Sequence, residues 1–360
     1  MPILAADTKK SKNASGFRKR VIYQSEALFA GTQNIQRVQS VNYSFTVPRT
    51  DVNQYGQLGQ IERVITEVPT VSMDFTYHLA GTTNEARLLG NGASGANFGF
   101  LKDLNNTDSD YYQQDFKVGL AKEGVDFNNG SAHNGEDNKG IIVPNGFITS
   151  YSWTGAVGDV PSSTVNLEST EMKVDSVETP VNPEPSNNPV VLRPGNVTFR
   201  SAGTTNNGLS DSDNDLPVMG FNGVHVQSFT VSIDIPRESI QRMGDRYEFA
   251  RVITFPIQAT MSIEAIISEQ KASNLSDIVG SQDSQAPDPG FDIDIHCNKA
   301  SEGVSGLNLR FKNAKIEGHS VSSSIGSNKS VTLDYAVQVD SGLYGYGNAN
   351  SSAGFFLQSI

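Results

Sequence analysis

Apolar and polar residues alternate with period two along much of this chain. Over residues 228–235, Phe229, Val231, Ile233 and Ile235 fall on one side and Thr230, Ser232 and Asp234 on the other, the pattern of a strand with one dry and one wet face. The same alternation marks 71–78, 259–267, 291–297, 307–311 and 331–339. Strands wet on one face belong to antiparallel sheets, so the pattern predicts a mainly β protein. Short helices are expected over 84–90 and 272–280, each with a polar start and a terminal glycine suited to a left-handed C-cap.

The alternating pattern occurs twice. Val38 to Tyr77 reappears at Val226 to Ala265 without a gap, an offset of 188, with twelve identities in forty pairs, where ordinary composition gives roughly two or three. Among them are Pro48/Pro236, Arg49/Arg237, Gly56/Gly244, Arg63/Arg251 and Met73/Met261. Downstream, Asn145 to Ile148 echoes Asn313 to Ile316, and Val165 to Leu167 aligns with Val331 to Leu333 once a gap of two residues is allowed. A tandem duplication of one β unit of about 150 residues follows, a size that buries roughly 70% of its unfolded surface. The expected organisation is an N-terminal arm 1–20, a first domain 21–175, a Pro-rich linker 176–195, a second domain 196–341 and a C-terminal arm 342–360 ending in the apolar Phe355, Phe356 and Leu357. Residues 91–140 read as a Gly/Asn/Asp-rich excursion of the first domain.

Charge adds an asymmetry. Residues 1–20 carry a net +5, which leaves −17 for the other 340 residues of a chain whose total is −12. Such an arm is either a solvated tail or a basic strap for the acidic body of a neighbouring copy. No apolar run is long enough to span a bilayer as a helix and none resembles a signal peptide, so the chain reads as cytoplasmic in origin. The single Cys297 excludes an internal disulfide and is expected to be a small buried hydrophobe.

Motifs that suggest chemistry are weak. Gly90 to Gly95 spells G-x-G-x-x-G but follows a helix instead of opening one. Asp211 to Asp215 begins like a calcium loop, yet Leu216 and Asn222 stand where Gly and Glu are required. Asp292 and Asp294 are expected to share the solvent face of one strand. His78, His225, His296 and His319 are scattered singly. Catalytic, cofactor and metal sites are therefore not expected.

The duplicated segment, an alternating strand ending in Val47-Pro48-Arg49 or Ile235-Pro236-Arg237, then Gly56 or Gly244, then a Pro-containing approach to a second alternating strand, resembles the tail tube proteins of long-tailed bacteriophages. The resemblance implies two tandem β-sandwich domains, each with a short flanking helix, contributing strands to a closed β-barrel. Rings of six domains stack into the tube through which DNA leaves the capsid. With two domains per chain, three chains supply a ring with pseudo-sixfold symmetry, and the duplication favours the sheathless tail type.

The implied place is the virion tail, assembled in the host cytoplasm. The implied partners are further copies of this chain, a tape measure protein and terminator or baseplate proteins, while double-stranded DNA passes without specific binding. On the strand face opposite the apolar one stand Ser44, Thr46, Ser72, Asp74, Thr76, Thr230, Ser232, Asp234, Thr260, Ser262 and Glu264. If that face lines the channel, as the resemblance implies, its acids and hydroxyls repel phosphate and avoid the adsorption that basic side chains cause. Arg49, Arg63, Arg237 and Arg251 flank a strand connection in each unit and are expected either to contact neighbouring domains or rings or to be solvated. The rival readings are a capsid decoration protein or carbohydrate-binding adhesin of β-sandwich fold, and a β-sandwich glycosidase, for which the sequence shows no convergent acids.

Overall fold

The computed structural model of the chain describes residues 26–79, 81–90, 98–101, 103–121, 127, 139–177, 192–203, 221–245, 247–270, 290–297, 306–324, 326, 328–339 and 354–359. In the first half these form β1 (Glu26–Ala30), β2 (Gln33–Asn34), β3 (Val38–Thr46), β4 (Arg49–Val52), β5 (Glu62–Ile65), β6 (Thr70–His78), helix α1 (Thr83–Leu89), β7 (Phe98–Gly99), β8 (Gln114–Leu120), β9 (Lys139–Ala156), β10 (Ser162–Ser169) and β11 (Lys173–Ser176). The second half, after a 3-10 turn at Pro194–Asn196, contributes β12 (Val197–Gly203), β13 (Phe221–Asp234), β14 (Arg237–Ile240), β15 (Ala250–Ile253), β16 (Gln258–Gln270), β17 (Phe291–Cys297), β18 (Leu307–Ser322), β19 (Ser330–Gln338) and β20 (Gly354–Ser359). The protein is mainly β. The second expected helix, the basic arm 1–20, linker residues 178–191, Asp211 to Asp215 and the glycine motif beyond Gly90 lie outside the described residues.

Alternation sets which face is dry. Val71, Met73, Phe75 and Tyr77 of β6 are buried, as are Phe229, Val231 and Ile233 of β13. These strands belong to an eight-stranded antiparallel sheet in the order β3-β6-β10-β9-β13-β16-β19-β18. Two smaller sheets cover its apolar face, β2-β1-β8-β9-β11 and β12-β17-β18-β20-β7. Ring contacts mark the seam between layers: Phe75 with Phe116 at 6.0 Å, Phe199 with Phe229 at 5.6 Å and Phe291 with Tyr335 at 6.5 Å. One apolar cluster runs through both halves. It is joined where Phe100 meets Trp153 at 5.9 Å and Phe355 at 5.7 Å.

The two halves repeat at the level of register. The irregularity between Val38 and Ser40 in the β3–β6 pair recurs between Val226 and Ser228 in β13–β16, the same offset of 188. In β9–β10, Thr164 faces Ser152 and Val165 faces Tyr151; in β18–β19, Thr332 faces Ser320 and Leu333 faces His319. Both pairs differ by 168, so Val165 corresponds to Leu333, and the gap of two residues suggested by the letters is not needed.

Even the kinks repeat. Asn145 and Asn313 stand at φ 50° and 57°, a left-handed conformation that asparagine tolerates better than most residues. The amide of Asn145 donates to the Asp115 carboxylate at 3.0 Å, and that of Asn313 to Asp292 at 2.9 Å. At this kink β9 and β18 leave the small sheet and enter the large one. The β4–β5 and β14–β15 hairpins repeat too, each turning at a positive-φ glycine, Gly56 or Gly244, and exposing Tyr55, Leu58 and Met243 near their tips.

Several expectations are corrected. Residues 354–359, assigned to a C-terminal arm, form β20 inside the second small sheet, where Phe355, Phe356 and Leu357 are buried. Residues 91–140 are not merely an excursion, because they contain β8, a core strand carrying buried Phe116 and Val118. Asp292 is spent on the Asn313 kink, and Asp294, expected on a solvent face, is 1% exposed beside Arg310 and His296. Gly90 follows α1 with positive φ, as expected of a C-cap, but its ψ of 161° is extended, not left-handed helical. Among the described residues of a single chain the large sheet ends at two open edges, β3 and β18, and no closed barrel forms within it.

Candidate self-assembly edges and polar wall

The uncovered face of the eight-stranded sheet carries the polar half of each alternating strand. Thr46, Asp74, Thr76, Thr230, Asp234 and Glu264, expected to line one surface, do share this face, with the other alternating Ser and Thr residues beside them. Cross-strand bonds tie them in pairs: Asn42 Nδ2 donates to Asp74 at 2.8 Å, Ser262 Oγ to Asp334 at 2.6 Å and Asn166 Nδ2 to Ser150 Oγ at 2.6 Å, while Ser44 and Ser72 hydroxyls meet at 2.9 Å and Thr76 and Thr164 at 3.1 Å. Such pairs stabilise a sheet by about 0.2–1 kcal/mol each. The β16–β19 pair extends the acidic character with Asp334, which the sequence reading did not single out.

Midway along this sheet, β9 of the first half pairs with β13 of the second. Ser150 to Ala156 face Asp234 to Ser228 in unbroken register, and Ile235 N–H donates to Thr149 O at 2.7 Å, Val157 N–H to Gln227 O at 2.8 Å. The apolar residues of this junction, Tyr151, Trp153, Val231 and Ile233, are all fully buried.

By the offsets of 188 and 168, β3 is the counterpart of β13 and the outer half of β18 is the counterpart of β9. The sheet's two free edges are thus the two sides of its own internal junction. There Tyr43, Phe45 and Val321 are 38%, 63% and 41% exposed, where their counterparts Val231, Ile233 and Trp153 are 0% exposed. Strand β3 has no Lys, Pro or any other charge along its length, so it lacks the devices that ordinarily protect an edge from pairing.

The four repeated arginines divide into two kinds. Arg237 and Arg251, at the root of the β14–β15 hairpin, reach across the junction onto the first half. The Arg237 guanidinium lies 5.1 Å from the Phe147 ring and 5.6 Å from the Tyr112 ring, and its Nε donates to Ile148 O at 3.2 Å. Burial lowers its pKa to about 10, which leaves it charged at neutral pH. Arg251 is 8% exposed and binds Glu168 and Glu248, each at 3.0 Å, above the same Phe147 ring at 5.5 Å. Their counterparts Arg49 and Arg63 are exposed on the β4–β5 hairpin, where Arg63 pairs with Asp51 of its own hairpin at 3.1 Å.

A second polar cluster sits inside the core. Glu85 of α1 accepts the Tyr77 hydroxyl at 2.9 Å, and that hydroxyl also meets Tyr151. Burial raises the Glu85 pKa to about 7, partly opposed by the hydrogen bonds it accepts. Cys297 lies in the same core, its thiol pushed up to about 12 by burial with Glu85 adding to the shift. These side chains are 0% exposed, so the cluster is sealed packing. Trp153 is likewise 0% exposed and offers no platform to a sugar. Among the described residues no group of His, Cys, Asp and Glu gathers with metal-binding geometry, and no helix is long and apolar enough to cross a membrane. No protein family and no curated protein matches this chain.

Proposed function

We propose that this chain is a structural subunit that assembles with copies of itself into rings, and that the rings stack as the tail tube of a bacteriophage. One observation carries the reading: the two free edges of the large sheet are the counterparts of the two strands already joined inside the chain, and they expose the apolar row that the internal joint buries. Burying a Phe or Tyr side chain fully contributes roughly 2 kcal/mol, so leaving Tyr43, Phe45 and Val321 in water is expensive for a lone chain. A heterologous joint of this kind closes into a ring when the rotation per subunit divides a full turn. Three chains of two sandwich units each make the pseudo-sixfold ring that the resemblance implies, and the eight strands per chain then become a continuous barrel without edges.

In that ring the hydroxyl and carboxylate face lines the lumen. On β3, β6, β13 and β16 this face offers DNA no Lys or Arg to release counterions, Asp74, Asp234, Glu264 and Asp334 repel phosphate, and Lys315 stands on it only at one end, opposite Ala336. The wall is a conduit and not a binding site. Negative-stain microscopy of the purified chain tests the reading. Rings or tubes with threefold symmetry that approximates sixfold at low resolution are expected. Six full chains per ring would overturn the three-chain arrangement, and a chain that stays monomeric at every concentration and salt level would overturn self-assembly altogether.

A further inference from the structure

The internal junction predicts more than that copies join; it gives the register of the joint and a difference in how firmly it holds. Carrying Ser150–Ala156 forward by 168 and Ser228–Asp234 back by 188 sets Gly318 to Ser324 of one chain against Thr46 to Ser40 of the next. Val321 then faces Tyr43, Ser320 faces Ser44 and His319 faces Phe45. On the polar side the facing residues are small, so two sheets meet there without a charge to desolvate. On the apolar side the joint closes over the exposed Tyr43, Phe45 and Val321.

The hairpin clamp does not carry over. At the internal joint Arg237 and Arg251 are held by the Phe147 ring and by Glu168. The counterparts of these two receivers, 168 residues on, are Lys315 and Ala336. An incoming Arg49 therefore meets an ammonium in place of a ring, and Arg63 meets a methyl in place of a carboxylate. The cation–π contact and the ion pair are both lost, and a like-charge pair appears.

We propose that copies of this chain join edge to edge in the register of the internal junction but without its arginine clamp, so that Lys315 and Ala336 make the chain–chain joint the weaker and reversible one. This rests on the self-assembly reading above. It adds a control: chains that clamped as firmly as the internal joint would polymerise whenever two edges met, whereas an unclamped joint waits for high local concentration or a template. The repulsion between Arg49 and Lys315 is screened by salt, as is that between the acidic bodies.

Two measurements on the full chain test it. Cys297 is buried and unreactive, so a disulfide between introduced thiols reports the joint alone. Ser44→Cys combined with Ser320→Cys should cross-link chains under mild oxidation, and Ser44→Cys with Ser322→Cys, one step out of register on the same face, should cross-link at least about tenfold less. Preferential linking of the shifted pair, with rings still visible by microscopy, overturns the register while leaving self-assembly standing; no linking and no rings removes both. In the second measurement Lys315→Phe with Ala336→Glu grafts the missing receivers. Assembly should begin at a concentration at least about tenfold lower, the factor expected of one cation–π contact with one ion pair, and adding Arg49→Ala and Arg63→Ala should cancel the gain. Unchanged assembly by a folded graft overturns the missing-clamp account, and the wild-type cross-linking result does not depend on that variant.

Discussion

Tyr77 and Glu85, one on the central strand β6 and the other on α1, share a hydrogen bond of 2.9 Å in a part of the core closed to solvent. The bond fastens the helix to the sheet, but it does so with a carboxyl that burial holds near pKa 7 against an ordinary 4.5. The folded state thus prefers the protonated acid. Its contribution is fully present below pH 4.5 and is lost as pH rises to about 7, a swing on the order of 3 kcal/mol. Denaturant melts of the unassembled chain should show this group favouring pH 5 over pH 8. Glu85→Gln should remove most of that slope and raise stability at pH 8; an unchanged slope in the variant would place the titration elsewhere.

The kink carboxylates offer a matched pair of tests. Asp115→Ala and Asp292→Ala each strip a left-handed asparagine amide of its charged acceptor, so each should destabilise by about 1–2 kcal/mol. Asn145→Gly and Asn313→Gly should be tolerated, since glycine adopts positive φ readily. Thermal unfolding of the four single variants is sufficient to check this, and a harmless loss of both carboxylates would show that the strands turn without them.

Arginine truncations should separate by position. Arg251→Ala leaves the largely buried Glu248 and the part-exposed Glu168 without their cation and should destabilise the chain by about 2 kcal/mol, most of it from Glu248. Arg63→Ala removes only an exposed pair with Asp51 and should change stability by less than about 0.5 kcal/mol. Reversing the charge at Arg49 alone sets a carboxylate where the proposed joint otherwise brings a guanidinium up to Lys315, so assembly should begin at a lower concentration, as read by sedimentation. Weaker assembly of that variant would refute the repulsion assigned to Arg49 and Lys315.

Replacing Asp74, Asp234 and Glu264 by Lys leaves the apolar face untouched, so rings should still form. In particles verified to contain the triple variant, DNA ejection should slow, most at low salt, because lumen cations then hold phosphate and release counterions. Ejection at the normal rate at low salt would mean that these residues do not face DNA or that wall charge is unimportant.

How much of this was legible in the sequence depended on what periodicity can report. It tells which side of a strand is dry, and β6, β13 and β16 follow it, while β19 departs from it at Ala336, buried between Tyr335 and Val337. It does not tell which strand lies next to which, so the β9–β13 junction and the kinship of the two open edges were hidden. Strand β20 escaped because Phe355, Phe356 and Leu357 are buried on both faces and do not alternate. Strand β8 escaped because its Phe116 and Val118 sit within a Gly/Asn-rich stretch. Asp294 followed the alternation but not its usual meaning: the outer face of β17 holds Arg310 and His296 beside it, partners that no local pattern announces. Arg237 and Arg251 were noticed because they repeat, while the aromatic ring and carboxylate that receive them lie about 80 to 90 residues away.

Strand β9 is 18 residues long, roughly 60 Å of extended chain, and it passes from the outer layer into the large sheet with only the Asn145 kink between. β18 does the same in the other half. Neither layer can slide over the other without breaking a continuous covalent strand, so the chain behaves mechanically as one stiff block. In the tube proposed above, bending would then have to be absorbed where such blocks meet, which would leave curvature to the seams and keep the bore of each ring round while the whole flexes.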